Sequence, residues 1–314
     1  MQSRARGHTE ENVGIHAAGS RFVLRWTPLS NDSYVSPVCY RRLAPAPPLA
    51  RWVRFIWMLQ VDSATPLHHR VVPAGATDLV LSSGGSWDLA DTGERYFEGP
   101  GVFVAGPSAG LLPLCSAGAV RMIGLRLANG CASSLLRLPL SELASRCVPL
   151  DLCRESRLEK EKVRTLTERL CEVRKPEEHL VHVNQFLLSL AASARAPEDL
   201  VQQALSAIRV THGQLRVDAL ASRLGVTSRH LERGFRQHVG LSPKALCRLE
   251  RFHHVRSLVA GAGRPVWSQL ACESGYYDQA HLIAEFRHFT GQTPATYRAD
   301  QEVGFFLYGP ERQP

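Results

Sequence analysis

The chain has 314 residues, 44% of them hydrophobic and 21% charged, which is typical of a globular protein with two domains. Its apolar runs are interrupted by Arg or Gly well before 18 residues, and its N-terminus lacks the apolar core of a signal peptide. We therefore expect neither a membrane span nor secretion. The net charge is +8, and the segment 201–300 holds most of the excess, with 13 Arg and Lys against 7 Asp and Glu. A basic segment of this kind favours phosphate as its partner.

The eight cysteines are scattered without any Cys-x-x-Cys spacing, which argues against a zinc cluster and favours reduced thiols in the cytoplasm. A thiol redox-sensing regulator stays open as an alternative, with a disulfide formed by Cys115 and Cys131 or by Cys147 and Cys153. Only the second pair adjoins arginines, which would lower the pKa of a thiol. Buried, unreactive thiols are the competing interpretation.

The N-terminal half reads as a β-rich domain. A polar, irregular stretch predicts a disordered tail over 1–20. Short β-branched runs bounded by Gly and Pro follow it, and 121–127 is the candidate last strand. We therefore predict a β-rich, cupin-like regulatory or sensor domain over 21–150.

Three tryptophans of this domain bear on the question of an effector. If Trp52, Trp57 and Trp87 line one cavity, they indicate an unknown small apolar effector. The plainer interpretation is that all three belong to the hydrophobic core.

Two amphipathic stripes predict a helical linker over 155–197, with a bend at Pro176. The apolar positions recur at 3-4-3 spacing, and they are Val163, Leu166, Leu170 and Val173, then Leu180, Val183, Leu187 and Leu190. These helices either pack on their own β domain or form the seam of a homodimer. The segment Ala194–Pro197 then leads into the C-terminal third.

The C-terminal third repeats one pattern twice, in the segments 218–243 and 269–294. Leu220, Ala221 and Gly225 recur 50 residues later as Leu270, Ala271 and Gly275, and Leu231, Phe235, Gly240 and Pro243 recur 51 residues later as Leu282, Phe286, Gly291 and Pro294. Each copy reads as a short apolar helix, a glycine turn, a polar N-cap and a second amphipathic helix, which is the helix-turn-helix plan. We therefore predict an all-α domain over 200–300 that binds double-stranded DNA through two such units, giving an α+β chain.

The first copy supplies most of the candidate DNA-binding residues. The N-cap and the outward face of its second helix carry Thr227, Ser228, Arg229, Glu232, Arg233 and Arg236. Arginine can bond guanine O6 and N7 together, and Glu can accept from cytosine N4. Arg236, further along the helix, is better placed for phosphate. The competing interpretation is the solvated charged face of an ordinary helix pair.

In the second copy Asp278 takes the N-cap role, and the candidate readers are fewer. Its outward face carries Ala280, His281, Ala284 and His288, and Gln279 and Ile283 flank that face; the candidate DNA contacts are Gln279, Ala280, His281 and Ile283. The first unit is therefore expected to supply most direct base readout, and the second to position the protein and read DNA shape. A connecting helix from Pro243 to about Leu258 joins the units, so that both can reach successive major grooves about 34 Å apart.

The second copy is similar to the AraC/XylS family of transcriptional regulators. The family signature is carried by Gly275-Tyr276, Asp278-Gln279-Ala280-His281, Phe286-Arg287, Gly291, Thr293-Pro294 and Tyr297-Arg298. The likeness covers about 205–299, and it implies a bacterial activator or repressor that works with RNA polymerase. It also implies an N-terminal domain that senses a ligand or mediates dimerisation. The segments Tyr40–Trp57 and Val72–Leu79 resemble the β-rich N-terminal domain of some members. Departures fall at Leu282, usually aromatic, and at Ala284-Glu285, where a cation is common; its absence weakens the expectation of a second-groove contact.

The sequence offers little for catalysis. It shows no Gly-x-Ser-x-Gly, His-Glu-x-x-His or P-loop spacing, and the pairs His68-His69 and His253-His254 would point their side chains apart. We therefore expect no catalytic residue, metal or cofactor. The enzyme alternative is a DNA-repair methyltransferase, which needs a Pro-Cys-His type setting that the sequence lacks. A scaffold or co-regulator, the remaining class, would show no salt-sensitive DNA binding.

Overall fold

The structure is a computed structural model. It describes residues 13–17, 20–24, 33–35, 38–61, 66–153, 157–172, 176–261 and 266–297. The first twelve residues of the predicted N-terminal tail, the predicted C-terminal tail 301–314 and Arg298 of the signature lie outside the described residues.

The N-terminal half is built from antiparallel strands. They are β1 (Val13–Ala17), β2 (Ser20–Leu24), β3 (Ser33–Val35), β4 (Val38–Leu43), β5 (Val53–Val61), β6 (Leu67–Val71), β7 (Asp78–Leu89), β8 (Arg95–Ala105), β9 (Leu112–Ala117), β10 (Val120–Leu127) and β11 (Cys147–Pro149). The main sheet runs in the order β11-β8-β7-β10-β5-β4-β3, and β9 pairs with both β6 and β7.

Two strands differ from the sequence prediction. β1 pairs with β2 as a separate ribbon, although 1–20 was expected to be disordered; Val13 and Ile15 provide the alternation that favours a strand there. β11 follows the expected last strand and adds an edge by pairing Val148 with Val104 of β8. Three residues are too few for a periodic signal, so only the sheet register reveals this strand.

The sheet separates two clusters of buried side chains. One, the aromatic cluster, contains Trp57 and Trp87 together with Phe97 and Phe103. The other faces the helices and contains Trp52. Trp57 and Trp87 thus share one face of the sheet and Trp52 lies on the other, so the three side chains do not line one cavity. All three are buried, which supports their interpretation as core residues.

One buried histidine makes this domain sensitive to acid. His69 is 6% exposed, lies 2.9 Å from the Ser116 hydroxyl, and packs on the ring of Trp87. Burial, together with the neighbouring His68, lowers the pKa of His69 to about 4. The folded ring therefore stays neutral at pH 5.5, whereas the unfolded ring takes up a proton below about pH 6.5.

We expect the free energy of unfolding to fall as the pH drops from 7.5 to 5.5, with about 1 kcal/mol of that loss due to His69. The stability from this residue is present above the unfolded pKa and is lost as the pH falls toward the folded one. Urea unfolding at both pH values, compared between the wild type and His69→Gln, measures it. Equal losses in the two proteins would show that another group is responsible, whatever the variant's stability at pH 7.5.

The helices begin after β10. They are α1 (Ala132–Leu136), α2 (Arg157–Glu172), α3 (Pro176–Ala192), α4 (Asp199–Val210), α5 (Val217–Arg223), α6 (Ser228–His238), α7 (Pro243–Gly261), α8 (Trp267–Glu273) and α9 (Gln279–Thr290). Pro176 stands at the first position of α3, where its missing N–H costs no helical hydrogen bond.

The apolar stripes of α2 and α3 pack against the sheet. Val163, Leu166, Leu170, Leu180, Val183 and Leu187 are all buried in one cluster with residues of β7, β8 and β10. These side chains are therefore used inside the chain, as the first of the two interpretations expects. A homodimer seam through the same residues would need them exposed.

The C-terminal helices form two small cores that share α7. α4, α5 and α6 surround Leu231 and Phe235, to which α7 contributes Leu246. The second core joins α7, α8 and α9 around Phe252. The sequence analysis did not predict α4, although Val201, Ala204, Leu205 and Ile208 fall at helical spacing and are buried. None of the described helices is long and apolar enough to cross a membrane.

Candidate nucleic-acid interface

The first helix-turn-helix unit consists of α5, a tight turn and α6. Gly225 has a φ of 69°, a left-handed conformation that glycine adopts without strain. Thr227 caps α6, because its hydroxyl accepts a hydrogen bond of 3.2 Å from the backbone N–H of His230. Leu231 and Phe235 are fully buried, so the opposite side of α6 must face outward.

The candidate readers of this unit all lie on that outward side. Thr227, Ser228, Arg229, Glu232, Arg233 and Arg236 are exposed. His230, which the sequence analysis passed over, lies among them, and its Nδ1 is 3.3 Å from an Arg233 Nη2. A ring nitrogen that accepts from the guanidinium limits the directions in which Arg233 can extend. The sequence could have predicted this contact, because residues three apart on a helix, such as His230 and Arg233, are neighbours.

The second unit, formed by α8, a turn and α9, repeats this geometry. Gly275 has a φ of 74°, and the Asp278 carboxylate caps α9 by accepting a 2.7 Å hydrogen bond from the His281 backbone N–H. Of the candidate readers, Gln279, Ala280 and His281 are exposed, and Ile283 is less exposed because it is half-buried. The predicted apolar stripe of Leu282, Phe286 and Phe289 is buried.

Two neighbours of Asp278 extend this surface. Tyr277, directly before the N-cap of α9, is 92% exposed. The backbone N–H of Tyr277 approaches Nδ1 of His281 at 3.4 Å. With Nδ1 as acceptor, the neutral His281 ring carries its proton on Nε2 and can donate to an acceptor on a base edge.

Glu285 does not occupy the outward position that the family comparison suggested for a cation. It is 8% exposed and its carboxylate accepts hydrogen bonds from Arg248 of α7. Ala284 is the residue of this pair that faces outward. The second unit therefore lacks a cation at 284, and the charge at 285 has an internal role.

The N-terminal domain contacts the C-terminal end of α6. His238, in the last turn, lies 2.9 Å from the Ser133 hydroxyl of α1 through Nδ1 and 2.9 Å from the Glu198 carboxylate through Nε2. A side chain at Gly240 would lie 2.6 Å from Pro107 and 2.8 Å from the Leu140 carbonyl oxygen. This joint holds the far end of α6 and leaves the Arg229–Arg233 tip exposed.

A cleft of about 700 Å³ runs from the joint along the outward face of α6. It is lined by Pro139 and Ser141 of the N-terminal domain and by Arg229, Arg233 and Arg236 of α6. A second seam lies near α7, where His253 Nε2 is 2.9 Å from the Pro73 carbonyl oxygen. The N-terminal domain therefore borders the charged face without covering its tip.

The described thiols give little support to redox sensing. Burial raises the pKa of Cys131, and burial together with the nearby Asp78 raises the pKa of Cys147 well above its usual range. A raised pKa suppresses the thiolate, so Arg146, which adjoins Cys147, does not activate this thiol. Among the residues that the structure covers, no group of three or more metal-ligating side chains comes together.

Comparison with protein families divides the chain in the same way. A family described as a helix-turn-helix domain matches residues 220–300, and a domain of unknown function, DUF6597, matches residues 41–149. The first match covers both two-helix units except for the first three residues of α5. The second contains most of the strands of the main sheet.

Relatives include an uncharacterized HTH-type transcriptional regulator of Staphylococcus aureus strain MSSA476 and another of strain N315. Each is 26% identical over 121 residues, which are 38% of this chain and 15% of the relative. The chain thus matches only a small part of the length of these relatives.

Solved structures with a similar arrangement include ToxT from Vibrio cholerae, with a TM-score of 0.41, 11% identity, and coverage of 77% of this chain and 96% of that chain. The AraC-like transcriptional activator CuxR has a TM-score of 0.30 at 14% identity and covers 76% of this chain and 86% of its own. Residues 220–300 thus match a family of helix-turn-helix domains, in agreement with the two two-helix units of the structure.

Proposed function

We propose that the chain is a sequence-specific DNA-binding transcriptional regulator whose helices α6 and α9 enter successive major grooves of one duplex. The main observation that supports this proposal is the capped N-terminal end of α6, on which Arg229, Glu232 and Arg233 are exposed. The chain contains this two-helix unit twice. Helices on one chain can reach grooves about 34 Å apart, and a shorter separation would bend the DNA.

The first unit reads bases in this proposal. Arg229 and Arg233 each offer a planar fork that matches O6 and N7 of guanine, and Glu232 accepts from N4 of cytosine. Thr227 and Ser228 stand at the helix N-terminus, where backbone N–H groups and hydroxyls favour a phosphate. Arg236 lies one turn beyond Glu232 and contacts the sugar-phosphate backbone.

The second unit positions the protein and reads shape. Gln279 can bond adenine N6 and N7, Ala280 and Ile283 provide apolar contact to thymine methyl groups, and the His281 Nε2 proton suits a base acceptor. The exposed Tyr277 ring lies beside these residues and offers a hydroxyl to phosphate.

We also propose that the N-terminal domain regulates the DNA-binding domain, in response to a small-molecule effector. The joint at His238 supports this, because Ser133 of α1 lies within hydrogen-bond distance of the last turn of α6, so that a shift of α1 would act on that helix. Activation through RNA polymerase and assembly into a homodimer remain parts of the same proposal. A homodimer would place its seam away from the buried stripes of α2 and α3.

Selection of duplexes from a random library with the purified full chain tests the function. The expected product is one enriched site of roughly 20 base pairs containing two half-sites one helical turn apart. Binding to that site should weaken steeply with salt, since cations on the protein release counterions from the duplex. Failure to enrich any sequence, with binding that does not respond to salt, would favour a scaffold or co-regulator.

Arg236→Ala separates phosphate contact from base readout. We expect affinity to fall by a similar factor on the selected site and on unrelated duplexes, and the slope of log K against log salt to drop by about 0.9. Fluorescence anisotropy at four salt concentrations measures both quantities. The matched control is Arg209→Ala, which removes one positive charge from α4, outside the proposed interface. It should leave the slope of log K against log salt unchanged. A selective loss on the selected site alone would place Arg236 among the base readers instead.

A further inference from the structure

An ion pair joins the connecting helix α7 to the second reading helix α9. The guanidinium of Arg248 donates from Nε to Glu285 Oε2 at 2.9 Å and from Nη2 to Oε1 at 2.6 Å, with a third contact from Nε to Oε1 at 3.2 Å. Two parallel donors facing two acceptors fix the relative angle of the two groups as well as their distance.

This pair is partly buried, unlike the exposed pair of Arg216 and Asp218. The Glu285 side chain is 10% exposed and that of Arg248 is 36% exposed. Burial raises the pKa of Glu285, but the hydrogen bonds and charge of Arg248 outweigh it, so the pKa is lowered and the carboxylate stays ionised. The Arg248 guanidinium also lies 5.6 Å from the centre of the Phe289 ring.

The position of α7 gives the pair its importance. α7 places Leu246 and Cys247 in the core of the first unit, and Leu249 and Phe252 in the core of the second. It is therefore a rigid element common to both units. Apolar packing permits small rotations of α9 about its own axis, whereas a bidentate fork on one side of the helix opposes them.

We infer that Arg248 and Glu285 are positioning residues that hold α9 at a fixed angle to α6, and so determine which half-site spacing the chain accepts. The inference rests on the proposed DNA-binding function. Neither residue need contact DNA: Glu285 is turned inward while Gln279 and Ala280 face outward on the same helix. Loss of the pair should therefore alter spacing tolerance rather than the choice of bases within each half-site.

The test uses the full chain and duplexes derived from its selected site, with one or two base pairs inserted or removed between the half-sites. The readout is the ratio of affinities at the best spacing and at a spacing changed by one base pair. Glu285→Gln keeps the shape of the side chain and removes its charge. We expect it to reduce this ratio at least about fivefold, because residues in one hydrogen-bonded network are strongly coupled.

Two further variants separate positioning from general stability. The double variant Arg248→Glu with Glu285→Arg restores an ion pair with the charges swapped, and it should recover much of the spacing preference. This variant keeps the test valid even when thermal melts show that Glu285→Gln is unfolded. Asp218→Asn breaks the exposed pair of Arg216 and Asp218, and it should leave the ratio unchanged.

The outcomes distinguish the two proposals. If the wild type enriches no DNA, the proposed function fails. If the wild type prefers one spacing and the folded Glu285→Gln protein keeps the same ratio, the positioning role is wrong while DNA binding stands. An equal loss of affinity at all spacings, with no recovery in the exchanged pair, would likewise overturn the inference and leave a purely structural contact.

Discussion

Replacing Arg233 with alanine is expected to weaken binding to the selected site by about 1–3 kcal/mol, or roughly 5- to 150-fold, and to relax the preference for one base pair. Arg233 lies on the exposed face of α6, less than two turns from the capped end, with His230 3.3 Å from its guanidinium. A bidentate contact to guanine is lost entirely when the fork is removed. Anisotropy titrations against the selected site and its single-base variants measure both effects.

The matched comparison is Arg233→Lys, which keeps the charge and loses the fork. It should retain affinity for unrelated duplexes while losing most of the base preference. The division of labour between the units is tested by the double change Gln279→Ala with His281→Ala. If that variant loses more base discrimination than Arg233→Ala, the assignment of direct readout to the first unit is wrong.

Replacing Asp78 with alanine is expected to destabilise the N-terminal domain by about 3–5 kcal/mol. Asp78 is fully buried at the start of β7, and its two oxygens accept from Nε and Nη2 of Arg126 on β10 at 2.8 and 3.0 Å. The indole N–H of Trp57 also points to this carboxylate at 3.4 Å. The Arg126 side chain is only 3% exposed, so that without the carboxylate its buried guanidinium loses its charged partner.

Chemical unfolding followed by tryptophan fluorescence measures this loss. The control is the double variant Asp78→Leu with Arg126→Met, which removes both charges. It should recover much of the stability because no buried charge is left. A loss below about 1 kcal/mol for Asp78→Ala would show that water or other groups solvate Arg126 adequately in the folded domain.

The two-unit architecture was readable from the sequence because its signals are local. Thr227 and Asp278 are N-cap residues that mark where α6 and α9 begin, and Gly225 and Gly275 adopt the left-handed conformation of the turns. The spacing of the apolar residues indicates the buried face of each helix. The positions of α2 and α3 followed from the same periodicity. The candidate readers could be named because the outward face of a helix is fixed once its inward face is known.

The tertiary structure decided what pairs across long stretches of chain. Asp78 meets Arg126 48 residues later only because the register of β7 and β10 places them opposite each other. Glu285 likewise meets Arg248, 37 residues earlier, and no local pattern in the sequence links the two.

The contact of His238 with Ser133, 105 residues apart, similarly depends on how the two domains dock. Helix propensity, caps and turns depend on neighbours within about four residues, so the sequence by itself determined the duplicated reading units. Partner choice among buried charges depends on sheet register and domain docking, to which no local pattern responds. The shared core at α7, the angle between the reading helices and the joint that links them to the N-terminal domain were therefore set by the tertiary structure alone.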